Sequence, residues 1–177
     1  MLNMKALKVY VITLSQTFPV GHPRAGKPTY FEDKFKNARY DATHIDEHTD
    51  AGLPNYDVKL HTLRGNWELW HKRFEDIYAG KACLSVRIWS GKPYNSKQIE
   101  IARLTKEDGI NVQLCCFPRD RDGMHSMSMA VVNGNKYVDG KELAKKDGLS
   151  YEDWKAWIRT YDLDEPLAII NLVNHRY

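Results

Sequence analysis

The sequence predicts one α+β domain built on a curled sheet, because strand-like segments outnumber helical ones and do not alternate with them regularly. Two further observations agree. The chain has 177 residues, enough for one sizeable core and few for two. Its composition is 42% hydrophobic and 28% charged, with five Trp, ten Tyr and five Phe, which suits a packed interior rather than a disordered chain. We therefore expect a single domain over 1–177.

In chain order, "LKVYVITLS" reads as a strand and "FPVGHPRAGKP" as a loop punctuated by Gly and Pro. "TYFEDKFKNAR" places Phe31 and Phe35 at i, i+4 and reads as a short amphipathic helix. Residues 39–57 are polar, acidic and broken by Gly52 and Pro54, so they are expected to form a surface insertion. "NWELWHKRFEDIYAG" is the clearest helix: Trp67, Trp70, Phe74 and Ile77 form a stripe, and Gly80 stands at its stop.

"ACLSVRIW", "QIEIARL", "INVQLCCF" and "SMAVVNG" read as strands, with "SGKPYNS" a turn between the first two and a mobile polar loop near 118–128. The stretch 139–162 carries two helices divided by Gly148. Ser150-Tyr151-Glu152-Asp153 starts the second in the manner of a capping box, with Asp rather than Glu at its third position. "PLAIINLV" closes as a strand.

Charge and cysteines bound the partners. A formal charge of +3 permits an anionic partner such as RNA without demanding one. No apolar run approaches the roughly 18 residues that span a membrane. Lys5 and Lys8 interrupt the first apolar stretch, so no secretory segment is expected there. Three cysteines, two of them adjacent, fit a reducing cytoplasm better than a disulfide scaffold.

Several motifs carry possible chemistry. His44-Ile45-Asp46-Glu47-His48 matches the H-x-x-E-H zinc pattern, but that pattern works only on a helix, and this one lies in a polar, breaker-flanked stretch; we expect a solvated loop and no metal site. Cys115 and Cys116 would face opposite ways on a strand, so they do not converge on one ion. In "SGKPYNSK" a turn between strands brings Lys92, Tyr94 and Lys97 close together, either to grip phosphate or as a solvated hairpin. No cofactor fingerprint is present.

The segment "VKLHTLR" (58–64) has an apolar alternation that slips, since Val58 and Leu60 share a face that Leu63 does not. On a regular strand Lys59 and Thr62 would also face opposite ways. They converge only if the chain bends near Leu60-His61.

"KLHTLR" resembles the K-x-x-T-x-R signature of ASCH domains, which belong to the PUA-like superfamily. "FEDKFKN" is similar to the helix before that signature, and "LAKKDGLSYEDWKAWIRTYDLDEPLAIINL" to the family's C-terminal run of helix, acidic residue before Gly, aromatic helix and strand. The resemblance implies a small, mostly antiparallel PUA-like β-barrel flanked by helices. It implies an RNA- or nucleotide-binding protein or, as the alternative, a metal-free amidohydrolase acting on an N-acylated, cytidine-like nucleoside.

By position, Lys59 and Thr62 match the lysine and threonine of the hydrolases' proposed catalytic set. Asp147 takes the place of a glutamate one methylene longer. Arg64 matches the signature arginine, assigned to phosphate or substrate carbonyl contact. For the binding alternative, Arg64, Arg87, Lys92 and Lys97 would supply phosphate contacts, with Tyr94 beside them. The implied partner is RNA or a modified nucleoside, with no membrane and no obligate protein partner.

Overall fold

The computed structural model describes residues 6–43 and 58–177. The His44–His48 motif and most of the expected insertion lie outside the described residues. The elements run β1 (Lys8–Thr13), α1 (Phe31–Thr43), β2 (His61–Arg64), α2 (Trp67–Tyr78), β3 (Ala82–Trp89), β4 (Gln98–Leu104), β5 (Asn111–Cys116), β6 (Met129–Val132), β7 (Lys136–Asp139), α3 (Gly140–Lys146), α4 (Tyr151–Ile158) and β8 (Leu167–Asn171). None of the helices among the described residues is long and apolar enough to cross a membrane.

The molecule is mixed α+β, and its strands pair as two sheets. One has the order β1-β3-β4, with β1 and β3 parallel; the other has the order β2-β8-β5-β6-β7 and is antiparallel throughout. β8 lies inside the larger sheet and every one of its residues is buried. Its alternation sends Ala168 and Ile170 into a core shared with α1, α2 and the smaller sheet. Leu167 and Ile169 go into a second core under α3 and α4.

Local chemistry sets the element ends. α1 begins at Phe31 rather than Thr29 because Tyr30 is left-handed (φ 58°) and the Thr29 hydroxyl accepts the Phe31 N–H at 3.3 Å. It also runs on to Thr43, so the insertion does not begin at residue 39; no breaker stands between Arg39 and Thr43 to stop it. α2 follows the expected stripe, with Trp70, Phe74 and Ile77 buried and Asn66 capping its start through the Leu69 N–H.

At α4 the Ser150 hydroxyl accepts the Asp153 N–H at 3.2 Å, but the Asp153 carboxylate turns to Arg24 instead of closing the box. One strand was missing from the sequence reading. Asn133 and Gly134 both have positive φ (51° and 77°) and form the tight turn that folds β7 back on β6. Residues 118–128 are tied by hydrogen bonds: the Asp120 carboxylate accepts the N–H groups of Asp122 and Met124, and Met127 is buried.

Candidate active site

Regular pairing in β2 starts at His61, so Lys59 stands just before the strand and is free of its alternation. Two neighbours hold this segment. The Lys59 N–H donates to the carbonyl of Lys34 on α1 at 3.0 Å, and the Leu60 N–H to the carbonyl of Lys146, the last residue of α3, at 2.8 Å. The slip in apolar pattern thus falls where the backbone passes from hydrogen bonds with α1 and α3 into the sheet. Within β2, Thr62 and Arg64 lie opposite Ile170 and Ala168 and share their face, while His61 and Leu63 take the other.

Asp147 caps the C-terminal end of α3, and the chain then turns through Gly148 at φ +79°. A Cβ on Gly148 would stand 3.1 Å from Lys34 Cδ and 3.3 Å from the Val58 carbonyl oxygen, so a side chain there is both strained and crowded. The turn brings Asp147 against Lys59. The Lys59 ammonium group donates to Asp147 Oδ1 and, at 3.0 Å, to the Asp147 carbonyl. Lys59 also lies 3.7 Å from the centre of the Phe31 ring, a cation–π contact on its apolar side. The shorter reach of aspartate is therefore sufficient here.

Lys59 is 1% exposed and Asp147 5%. Burial is the largest influence on both and disfavours both charges: the Lys59 amine is lowered to about 8, and the Asp147 carboxyl is raised. Their mutual attraction opposes burial, while Arg64 and Lys34 push Lys59 further toward the neutral form.

Thr62 is nearly buried, and its Oγ1 accepts an N–H from Arg64 at 3.0 Å. The same guanidinium donates to the carbonyls of Leu63 (3.1 Å) and Thr13 (2.7 Å), which fixes it over the threonine. Lys59, Thr62, Arg64 and Asp147 line one small cavity together with Leu14, Phe31, Trp157 and Tyr161. Its volume is only ≈ 20 Å³, room for a water or a group of similar size.

Of the residues expected from sequence, these four converge. The other four stand apart. Arg87 lies on β3 beside a bulge and donates to Ser85 Oγ at 2.8 Å and Gln98 Oε1 at 3.4 Å. Lys92, Tyr94 and Lys97 are exposed in the turn between β3 and β4, with the Tyr94 ring 5.3 Å from that of Trp89.

Sequence reasoning missed Phe31, Tyr161 and Ser15 as walls of the cavity. Phe31 reads as an ordinary core position of an amphipathic helix, and nothing in its spacing distinguishes a ring under an ammonium group. It also missed a polar layer behind Lys59. There the buried His61 ring is joined to the Tyr177 hydroxyl at 2.7 Å, and burial holds His61 well below its ordinary pKa.

Among the described residues no group of three His, Cys, Asp or Glu side chains is placed to hold a metal ion. Cys115 is buried, and burial pushes its thiol up. Comparison with known proteins finds no matching family model, no matching curated protein and no matching solved structure.

Proposed function

We propose that this chain is an amidohydrolase that removes the acyl group from an N-acylated, cytidine-like nucleoside. The observation that carries the reading is the buried Lys59 amine, held by Asp147 in the cavity that also contains the Thr62 hydroxyl. A lysine serves as a base more readily when its environment shifts it toward the neutral amine, and burial beside Arg64 and Lys34 does so here against the opposing pull of Asp147. The reading also takes the two sheets as the walls of a PUA-like barrel, as the resemblance of "KLHTLR" implies.

Thr62 Oγ1 attacks the amide carbonyl carbon while its proton passes to the neutral Lys59 amine. The carbonyl π pair moves onto oxygen, and the fixed Arg64 N–H groups beside Thr62 stabilise that oxyanion. Asp147 orients Lys59 and stabilises the ammonium group as it forms. Collapse of the intermediate breaks the C–N bond, and the departing nitrogen takes the proton back from Lys59. Water, deprotonated by Lys59, then attacks the acyl-threonine ester, and Thr62 recovers its proton as the carboxylic acid leaves.

The test is release of cytidine from N4-acetylcytidine by the purified protein, by Lys59→Met and by Thr62→Ala. Wild-type turnover should fall by roughly 10²-fold or more in each variant, the range associated with loss of a positioned base or nucleophile. Absence of wild-type turnover, or turnover indifferent to both substitutions, would defeat the proposal.

A second reading, binding of RNA or a nucleotide without chemistry, is favoured by the exposed Lys92, Tyr94 and Lys97 of the β3–β4 turn. Filter binding of single-stranded RNA should then be saturable and weaken as salt rises. No retention at low salt removes this reading.

A further inference from the structure

The size of the cavity limits what enters it. Space for about one water-sized group cannot take a nucleoside, so the sugar of any substrate stays outside. Two surface hollows each share one wall residue with the cavity. One, ≈ 370 Å³, shares Tyr161 and is lined by Glu68, Asp162 and Glu165, with no basic side chain among its walls. The other, ≈ 300 Å³, shares Ser15 and is lined by Gln16, Thr17, Trp89, Lys92 and Pro93, with no acidic side chain.

The volume of the second hollow reaches the lower end of the range for small-molecule sites. Its chemistry suits an anion: the Lys92 ammonium group, the Gln16 amide and the Thr17 hydroxyl can donate, beside a half-buried indole, while the Ser15 hydroxyl already donates to the Thr17 carbonyl at 2.7 Å. The acidic hollow would repel the same ligand. Lys92 stands at a turn between adjacent strands whose Ser96 hydroxyl donates to the Lys92 carbonyl and accepts the Gly91 N–H, so the backbone presenting it is tied down. Trp89 and Tyr94 pack against each other at the rim and extend an aromatic surface outward from it.

We infer that the Ser15–Trp89–Lys92 hollow is a phosphate subsite, so that the substrate of the Lys59–Thr62 cavity is a phosphate-bearing nucleotide rather than a free nucleoside. This rests on the hydrolase reading above and adds the substrate class to it. The acyl group points to Thr62, the nucleotide crosses Ser15, and the phosphate meets Lys92.

The experiment compares kcat/KM for N4-acetylcytidine and N4-acetylcytidine 5′-monophosphate, in the wild type and in Lys92→Ala and Lys92→Glu. A charge-assisted contact should favour the monophosphate by roughly tenfold. Lys92→Ala should bring the ratio near one, and Lys92→Glu should invert it. A third arm, a short RNA strand containing acetylated cytidine, tells whether the phosphate belongs to a free nucleotide or to a backbone; preference for either over the nucleoside supports the subsite.

Equal turnover of nucleoside and monophosphate overturns the inference and leaves the hydrolase reading standing. If nothing is hydrolysed, the hydrolase reading fails, and titration with cytidine 5′-monophosphate, followed by tryptophan fluorescence, judges the hollow alone. Saturable binding lost in Lys92→Glu supports it; no binding overturns it.

Discussion

An ammonium group removed from water loses hydration that one neighbouring carboxylate only partly replaces, which is why the Lys59 amine is brought down to about 8 while Asp147 rises. The unfolded chain keeps the ordinary lysine value of 10.5, so between about 8 and 10.5 the unfolded state holds the extra proton. Stability associated with Lys59 therefore rises with pH across that window.

The same shift predicts a rate profile. If the neutral amine is the base, kcat/KM rises with pH, about tenfold per unit below 8, and levels above it. Asp147→Asn removes the charge that raises the Lys59 value, so the rising limb should move to lower pH; stopped assays of N4-acetylcytidine hydrolysis between pH 5 and 10 would show it. A limb that stays in place would mean that another group titrates.

The sequence shows the residue types; the ASCH-like resemblance implies their grouping, with Lys59 and Thr62 from the signature and Asp147 from the C-terminal run. It does not show the burial that brings the lysine down. Alternation alone places Lys59 and Thr62 on opposite faces, and only the start of pairing at His61 releases Lys59 from that rule.

Among elements, α3 is short, and its first residue sets how closely the helix can approach the loop before β6. A Cβ on Gly140 would fall 2.0 Å from the Met127 carbonyl oxygen, a backbone atom with no freedom to withdraw, and 3.2 Å from the Tyr151 ring. Gly140→Ala should therefore destabilise the protein by about 3 kcal/mol, near the upper end of ordinary overpacking, as measured by the urea midpoint.

Because Asp147 caps the end of α3, a displaced helix should also draw the carboxylate from Lys59; if the hydrolase reading holds, the variant then loses hydrolysis beyond what its unfolded fraction explains. Most helices and strands were legible because their apolar stripes survive packing, as with Trp70, Phe74 and Ile77. The β6–β7 hairpin was missed although Asn133-Gly134 is a strong turn signal, since β7 is four residues long and buries only Val138.

For the whole molecule, partnership between strands was the least legible property. "PLAIINLV" reads as a closing strand, yet nothing in it says that β8 pairs with β2 and β5 and is covered on both faces. Two cores meet there, and β2 passes at the edge of that sheet with Thr62 turned to one and Leu63 to the other. The cavity is thus a seam between separately packed layers, where a buried polar group can be held rigidly by both.

The parallel pairing of β1 with β3 bears on how the chain is made. Lys8 lies opposite Ala82, so β1 leaves the ribosome about 70 residues ahead of its partner, a wait of several seconds at ordinary translation speeds. During that time it is a bare strand with open backbone donors and acceptors, which other nascent chains can recruit. Its capture also seats the Thr13 carbonyl against Arg64, so the smaller sheet is tied to the candidate site through that one hydrogen bond.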